Sequence, residues 1–284
     1  MDDARRLWTL LEPLHAVTYF TPESRAAADA AGLRGFWMGY VAQRAAPLGA
    51  VGPDVAWACF HGFHRDRIAR ALPDAWGYAD PPRCLAARLE GADGALRRLL
   101  ADVPGGPEGA VVAEAARLAV AAADAADTAG RVLAAVNQHL PRPDAPHLAL
   151  WQAATTLREH RGDGHVAVLV ARDLGPVAAH RLKTAAGEAD ALQQARMFDD
   201  TAWTAGAGAL TGRGWLDGDG RLTDAGRRAH EEIEHDTDRA AAAPWRALGR
   251  TDTDRLVELL RPLTATLVDA RALPYPNPIG LPRP

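Results

Sequence analysis

The stretch that decides the fold class is residues 201–228, TAWTAGAGALTGRGWLDGDGRLTDAGRR. Apolar residues at helical spacing, preceded by two aspartates that suit a helix start, predict a helix that ends near Thr211. The Gly-Asp-Gly turn between WLD and RLT predicts a short two-stranded hairpin. Thr223 and Asp224 then predict the start of a long helix that runs to about residue 243. This order of elements is typical of a winged helix-turn-helix.

The residues before this stretch also carry helical patterns. In the second half of the chain we expect helices over residues 147–160, 166–171 and 188–197, the second of them capped by Asp163. In the first half, Ala-rich helices are punctuated by Gly and Pro, and Thr21 is expected to cap the second of them. The fold class is therefore predicted to be mainly α.

A Pro-rich stretch, residues 141–146 (PRPDAP), is the linker that the sequence offers. It divides the chain into a helical domain, residues 1–140, and a winged-helix domain, residues 141–284. From Leu273 onwards a proline-rich tail is expected to be extended.

Composition limits the class of protein. Of the 284 residues, 48% are hydrophobic and 24% charged, which excludes an intrinsically disordered chain. No apolar run approaches the roughly 20 residues that a membrane span needs, and the first residues lack the apolar core of a secretory signal. Two cysteines make neither a disulfide framework nor a zinc cluster. We therefore expect a soluble cytoplasmic protein that makes no contact with membranes.

Several segments carry a resemblance to a known group. Residues 210–228 resemble the wing region of winged helix-turn-helix regulators, including those of the MarR type. The chain as a whole is similar to high-GC bacterial winged-helix or MarR-like proteins without an assigned activity, through that wing together with GFWMGYVAQRAAPLG (35–49), RALPDAW (70–76) and LREHRGDGH (157–165). The resemblance implies a fold rather than a function.

Nucleic acid is a disfavoured partner, although a local basic patch is not excluded. The net charge is −4, and the expected recognition helix, residues 201–210, contains none of the Arg, Lys, Asn or Gln side chains that read base edges. The wing carries Asp217 and Asp219 against Arg221. Three further arginines stand near enough to contact phosphates, which is a weak footprint: Arg213, Arg227 and Arg228.

A cluster of polar and aromatic residues in the first half is the leading candidate site. Aromatic walls with a few convergent polar groups are the usual composition of a small-molecule pocket. The candidate catalytic residues are His61, His64, Asp54 and Arg44, and the candidate substrate-binding residues are His15, Tyr19, Trp37, Tyr40, Trp57, Phe60 and Arg65.

The roles assigned to these residues follow their chemistry. Asp54 or a neutral histidine would take a proton from a nucleophile, while Arg44 and Arg65 would hold a departing or spectator anion. The alternative is that the histidines are partly exposed or hydrogen-bonded in the core. A metal site formed by His15, His61 and His64 has weak support because no carboxylate motif accompanies it. No organic cofactor is expected.

Two further clusters are interpreted as structural. In residues 159–165, EHRGDGH, Asp163 would cap a helix and the glycines would form a turn, with His160 over a helix C-terminus. The functional alternative is that Glu159 and His165 reach the first pocket. His230 and Glu234, four residues apart, would pair or bind a metal, but a solvated charged face is the favoured interpretation.

The sequence leads to three hypotheses of function. The first is a cofactor-independent enzyme of specialised metabolism that performs acid–base or displacement chemistry, such as a cyclisation, on a small molecule. The second is a ligand-responsive transcriptional regulator, with a possible homodimer presenting two winged helices to DNA. The third is a binding or self-resistance protein that sequesters a small molecule.

Overall fold

The protein is almost entirely helical in the computed structural model, which describes residues 3–188, 192–275, 277 and 281. The helices of the first half are α1 (Asp3–Phe20), α2 (Pro22–Ala30), α3 (Gly35–Ala45), α4 (Pro53–Cys59), α5 (Arg65–Ala69), α6 (Ala75–Tyr78), α7 (Pro81–Leu99), α8 (Ala110–Asp124) and α9 (Val132–Gln138). The second half contains α10 (Pro146–Ala171), α11 (Pro176–Ala185), α12 (Leu192–Arg196), α13 (Asp200–Gly212), α14 (Asp224–Ala240), α15 (Ala243–Leu248) and α16 (Arg250–Asp269). Two short 3-10 turns lie at Ala46–Leu48 and Gly106–Glu108. The mainly α class is confirmed.

The larger hydrophobic core surrounds α10. The first half of this helix is buried against α1, α7, α8 and α9. Helix α16 also packs against α1. Trp151 is fully buried at its centre, and its indole donates a hydrogen bond to Thr18 Oγ1 at 2.9 Å. The alanine-rich face of α8 allows close contact with α10, because side chains no larger than a methyl group let two helices approach.

A second, smaller core lies in the helix-turn-helix part. Its members come from the end of α10, the loop after it, α11, α13, the turn between α13 and α14, and α14 itself. In that order they are Leu169, Leu174, Leu182, Leu210, Leu216 and Ile233. Helix α11 packs against α13, where Gly206 allows Val177 to approach closely. The arrangement is a compact helical unit attached to the main core through α10 and α14.

The predicted division at residue 140 does not coincide with these two cores. Residues 148–157 of α10 and residues 256–267 of α16 belong to the same core as α1. The second core begins only at Leu169, within the last turn of α10. The reason is that α10 is one helix of 26 residues, whose first half completes the larger core and whose end begins the smaller one.

The expected break at residues 161–165 is absent, and this part of the prediction is wrong. Helix α10 continues through Gly162, Asp163 and Gly164, so Asp163 caps no helix of its own and His160 lies in mid-helix. Gly164 serves close packing instead of a turn, since a Cβ there would lie 2.6 Å from an Arg131 guanidinium nitrogen. The segment therefore contributes side chains along one continuous helix.

The two-stranded wing is not seen in the described residues, which contain no strand. A single antiparallel bridge joins Leu216 to Leu222, and Asp217 N donates to Arg221 O at 2.9 Å. The Asp217 carboxylate accepts from two backbone amides of its own turn, which tightens the loop without extending a ladder. The hairpin is thus a turn closed by one bridge.

Helix starts agree with the sequence at several positions. Thr21, Asp199 and Thr223 each accept a hydrogen bond from a backbone amide of the first helical turn. Helix α4 begins after Gly52, and Asp54 lies in its first turn. The expected helix over residues 188–197 is described only as α12, and the proline-rich tail lies mostly outside the described residues.

Candidate anion-binding cavity

A cavity of about 180 Å³ lies where the helix-turn-helix part meets the first half of the chain. Its walls come from α3, the end of α4 and the segment after it, α9, α10, α11 and α12. The lining residues are Arg44, Cys59, Phe60, His61, Gly62, Leu133, Arg158, Gly162, Asp163, His165, Val166, Leu169, Pro176, Ala179, His180, Lys183 and Arg196. Four of them are cationic and one, Asp163, is acidic, so positive charge dominates the described wall.

Two of the cations are fixed by a buried carboxylate. Arg44 donates from Nε and a terminal nitrogen to the two oxygens of Glu159, both at 3.2 Å, and Arg158 donates to Glu159 Oε1 at 2.8 Å. Arg158 also donates to Glu12 at 3.2 Å. Burial would raise the pKa of Glu159, but Arg158 and Arg44 lower it to about 2. Glu159 is therefore ionised and holds two guanidinium groups in place at the wall.

The other two cations come from the helix-turn-helix part. Arg196 is buried with its guanidinium 4.0 Å from the centre of the Phe63 ring, and burial lowers its pKa to about 10. It remains charged at neutral pH. Lys183 Nζ lies 3.8 Å from Glu188 and is partly exposed. An anion in the cavity would meet cations from both parts of the chain.

Three histidines on the wall are uncharged at neutral pH. Burial lowers the pKa of His165 and of His180 to about 3, with nearby Lys183 and the neighbouring arginines adding to the effect. Burial also lowers the pKa of His61, whose ring is hydrogen-bonded to the backbone of Leu174. Each ring is thus a neutral imidazole anchored through one nitrogen.

Asp163 is the acidic residue of the described wall. Its carboxylate accepts a hydrogen bond from Ala134 N at 2.9 Å, in the first turn of α9. Burial raises its pKa to about 6, and the nearby charge of Glu159 adds to this rise. A carboxyl group with this pKa exchanges protons readily near neutral pH. Asp163 also lines an open groove between α10 and α14, so it lies between the cavity and solvent.

Of the candidate residues named from the sequence, the structure brings three to this cavity. They are Arg44, Phe60 and His61. The Arg44 guanidinium lies 4.3 Å from the centre of the Phe60 ring, which adds a cation–π contact to its ion pair with Glu159.

Four candidates lie outside the lining, towards solvent. Asp54 and Arg65 form an exposed ion pair at 2.6 Å. His64 caps α5 by accepting from Asp66 N at 3.2 Å. The Trp57 indole donates to Phe63 O at 2.8 Å while its ring remains partly exposed. These contacts stabilise the segment that carries His61.

The remaining candidates form an aromatic cluster beside the cavity. His15 is buried, with one ring nitrogen 3.0 Å from Thr155 Oγ1 and the other 3.0 Å from the Tyr19 hydroxyl. Tyr40 contacts both Tyr19 and Trp37. With both nitrogens of His15 engaged in the core, the hypothesis of a His15–His61–His64 metal site is wrong, and no group of metal-binding side chains is found among the described residues.

The charged and histidine residues of the wall that the sequence did not suggest as site residues are Arg158, Asp163, His180, Lys183 and Arg196. Of Glu159 and His165, which the alternative interpretation of residues 159–165 directs to the first pocket, His165 lines the cavity, whereas Glu159 lies behind the wall and pairs with Arg44 and Arg158. His180 and Lys183 are spaced to share a face of α11, a helix that was not expected from the sequence. The three-residue spacing of His180 and Lys183 is the sequence signal that could have identified this pair.

The charged cluster that contains His230 and Glu234 links α14 to neighbouring parts of the chain. His230 lies 3.3 Å from Glu188, and Glu234 lies 3.4 Å from Arg5 of α1 and 3.5 Å from Arg161 of α10. The face of α14 that bears them is therefore part of an interhelical contact and is not a simple solvated surface.

The surface that would face DNA offers little positive charge for contacts with phosphates. The exposed residues of α13 are small and uncharged after the initial Asp200: Thr201, Thr204, Ala205, Gly208, Ala209, Thr211 and Gly212. Arg213 donates to backbone oxygens of residues 172 and 173, Arg221 pairs with Asp219, and Arg227 pairs with Asp224. Those three arginines are engaged within the protein.

The helices and their order define a helix-turn-helix protein. The chain belongs to a helix-turn-helix family, whose model matches residues 4–274. No curated protein and no solved structure matches the chain significantly. None of the helices in the described part of the chain has the length and apolar character needed to cross a bilayer.

Proposed function

We propose that the protein binds a small organic anion in the cavity and performs cofactor-independent acid–base or displacement chemistry on it. The observation that carries this proposal is the convergence of Arg44, Arg158, Lys183 and Arg196 with neutral histidines on one space. Glu159 and Glu12 compensate part of the charge of Arg44 and Arg158, and an anionic ligand would offset the solvation cost of these cations further. Charged groups arranged in advance around a reaction site are also what stabilises developing charge.

The size of the cavity limits the bound portion of the ligand. A cavity of about 150 Å³ holds a molecule the size of benzene, and this one measures about 180 Å³. We therefore expect the enclosed part of the ligand to have roughly six to eight non-hydrogen atoms. A carboxylate, sulfate or phosphate group with a short carbon chain fits this size.

His61 is the residue to which we assign the general base. It is neutral, and one ring nitrogen is hydrogen-bonded to the backbone of Leu174, so the other can accept a proton. In a displacement, that nitrogen would take the proton from a hydroxyl or amine of the ligand. The new bond to carbon forms as the bond to an anionic leaving group breaks. The leaving group departs with the electron pair and is held by Arg44 and Lys183.

The test compares the wild-type protein with His61→Gln in a small-molecule extract of the native cells. Mass spectrometry should show a compound that the wild type consumes and the variant leaves at least a hundredfold less changed. The matched control is His139→Gln, at an exposed histidine away from the cavity. Equal consumption by wild type and His61→Gln, or consumption by neither, would reject the proposed reaction.

A ligand-responsive regulator is the second candidate, and the family match supports it. In that case cavity occupancy would alter the position of α11 and α12, which carry His180 and Arg196 and lie next to α13. Fluorescence polarisation with duplex DNA from upstream of the gene separates the two candidates. A regulator would bind that duplex selectively, with an affinity that falls steeply as salt increases. The proposed enzyme would show weak binding without sequence preference.

A further inference from the structure

The neutral histidines of the cavity have a definite arrangement of protons. The Thr237 hydroxyl lies 2.8 Å from Ile233 O, and a carbonyl only accepts, so the hydroxyl proton is directed there. His165 Nδ1 lies 2.9 Å from the same hydroxyl oxygen. Because the hydroxyl has only one proton, His165 Nδ1 must be the donor in this contact. The neutral ring therefore carries no proton on Nε2.

His180 follows the same logic with a different partner. Its Nε2 lies 2.8 Å from Gly62 O, and this nitrogen must donate because the carbonyl has no proton to give. Burial keeps the ring neutral by lowering its pKa to about 3, so Nδ1 is unprotonated. Among the described residues, none is hydrogen-bonded to His165 Nε2 or His180 Nδ1. Neither atom is sealed away from solvent.

The cavity thus has two kinds of recognition group. Guanidinium and ammonium groups can only donate, whereas the two histidine nitrogens can only accept. A simple carboxylate or sulfate anion can satisfy the donors but has no proton for the acceptors. His165, His180 and Lys183 all line the cavity, so residues with both kinds of group border one space.

We infer that the ligand carries a hydroxyl or amine hydrogen-bond donor close to its anionic group, and that His165 and His180 receive that donor. This inference rests on the proposed function, because it names the chemical class of ligand for the same cavity. The class is that of small hydroxy acids and amino acids. It differs from plain carboxylates and from sulfate by the presence of the donor.

Isothermal titration calorimetry at pH 7.5 with matched probes tests the inference. The probes are propionate, lactate and 3-hydroxypropionate, which have the same charge and the same number of carbon atoms. One hydrogen bond of ordinary strength gives roughly a three- to tenfold gain in affinity. We therefore expect at least one hydroxy acid to bind the wild type by about this factor more tightly than propionate.

Thr237 provides variants that change the histidine without removing it. Thr237→Val preserves the shape of the side chain but frees His165 Nδ1, so the proton can move to Nε2 and the acceptor is lost. Thr237→Ser retains the hydroxyl. We expect the preference for the hydroxy acid to fall in Thr237→Val and to be restored in Thr237→Ser, with propionate affinity unchanged in both.

The outcomes separate the two proposals. If all three probes bind with equal affinity, the cavity is an anion site and the inference about the donor is wrong. If the hydroxy acid is preferred to the same degree in Thr237→Val and in His180→Gln, the histidines are not its receptors and the inference is wrong. If none of the probes binds, the proposed function itself fails for ligands of this size.

Discussion

At the scale of single residues, Glu159 controls the charge balance of the cavity wall. Its carboxylate accepts hydrogen bonds from both Arg44 and Arg158 while only 2% of its side-chain surface is exposed. Removing one member of a buried ion pair is costly, because its partners keep their charge without compensation. The function that we propose for the two arginines therefore depends on a residue that need not touch the ligand.

Replacing Glu159 tests this dependence. We expect Glu159→Gln to lower the free energy of unfolding by about 3–5 kcal/mol, measured by urea denaturation. Asp54→Asn removes a carboxylate from the exposed pair with Arg65 and serves as the control, for which we expect little change. A small effect of Glu159→Gln, equal to that of the control, would show that the arginines do not need this carboxylate.

His180 should make stability depend on pH. Its folded-state pKa of about 3 lies below the ordinary value of 6.5, so the unfolded chain binds the proton more strongly. Stability is therefore fully present above pH 6.5 and is lost as pH falls towards 3. One such group contributes a slope of about 1.4 kcal/mol per pH unit within this window.

His180→Gln is the variant for this prediction, because the amide can still donate to Gly62 O. Urea denaturation between pH 4 and 6.5 should show a slope shallower than that of the wild type by about one proton. His139→Gln, at an exposed histidine, should leave the slope unchanged. An unchanged slope in His180→Gln would mean that His180 is not held neutral by burial.

At the scale of helices, the sequence predicts starts better than breaks. Thr21, Asp199 and Thr223 begin helices as expected, since a cap is a local interaction between residues two or three positions apart. Gly162 and Gly164 were expected to form a turn, but α10 continues through both, and Gly164 is packed closely against Arg131, just before α9, and Ala240 of α14. Such long-range packing cannot be recognised from local spacing.

The candidate site was likewise only partly predictable, because local spacing does not reveal long-range packing. Arg44, Phe60 and His61 were predictable because aromatic and polar residues cluster in the local sequence. His180 and Arg196 were not, because only the packing of α11 and α12 against the segment after α4 brings them to the wall. The hydrogen bond from His64 N to Arg196 O, at 3.0 Å, is one contact that holds α12 there.

Two glycines of α13 give a matched prediction about packing between helices. A Cβ at Gly206 would lie 2.6 Å from Val177 Cγ1 and 3.3 Å from the Val177 carbonyl carbon, whereas a Cβ at Gly208 would meet nothing within 4 Å. Gly206→Ala should therefore lower stability by about 1–3 kcal/mol.

Gly208→Ala should raise stability by up to about 1 kcal/mol, because alanine favours the helix. Thermal denaturation of the two variants measures the difference. If both changes stabilise the protein equally, α11 does not pack against α13 as described.

At the scale of the whole molecule, the cavity belongs to neither part of the chain alone. Arg44, His61 and Arg158 come from elements of the larger core or the segment beside it, whereas His180 and Lys183 come from α11. Ligand binding would therefore stabilise the junction between the two parts. The surface of α13, with small uncharged residues after its first turn, offers little for reading DNA bases.

Lys183 allows the central claim to be tested directly, because it is the only lysine in the sequence and it lines the cavity. Reductive methylation with ¹³C-formaldehyde labels just this side chain and the α-amino group of the chain. We predict that sodium sulfate, titrated at constant ionic strength, shifts the Lys183 signal saturably while the α-amino signal remains unchanged. The control variant Arg228→Gln, at an exposed arginine outside the cavity, should give the same curve. Parallel, non-saturating drift of both signals would contradict the claim that the cavity binds anions.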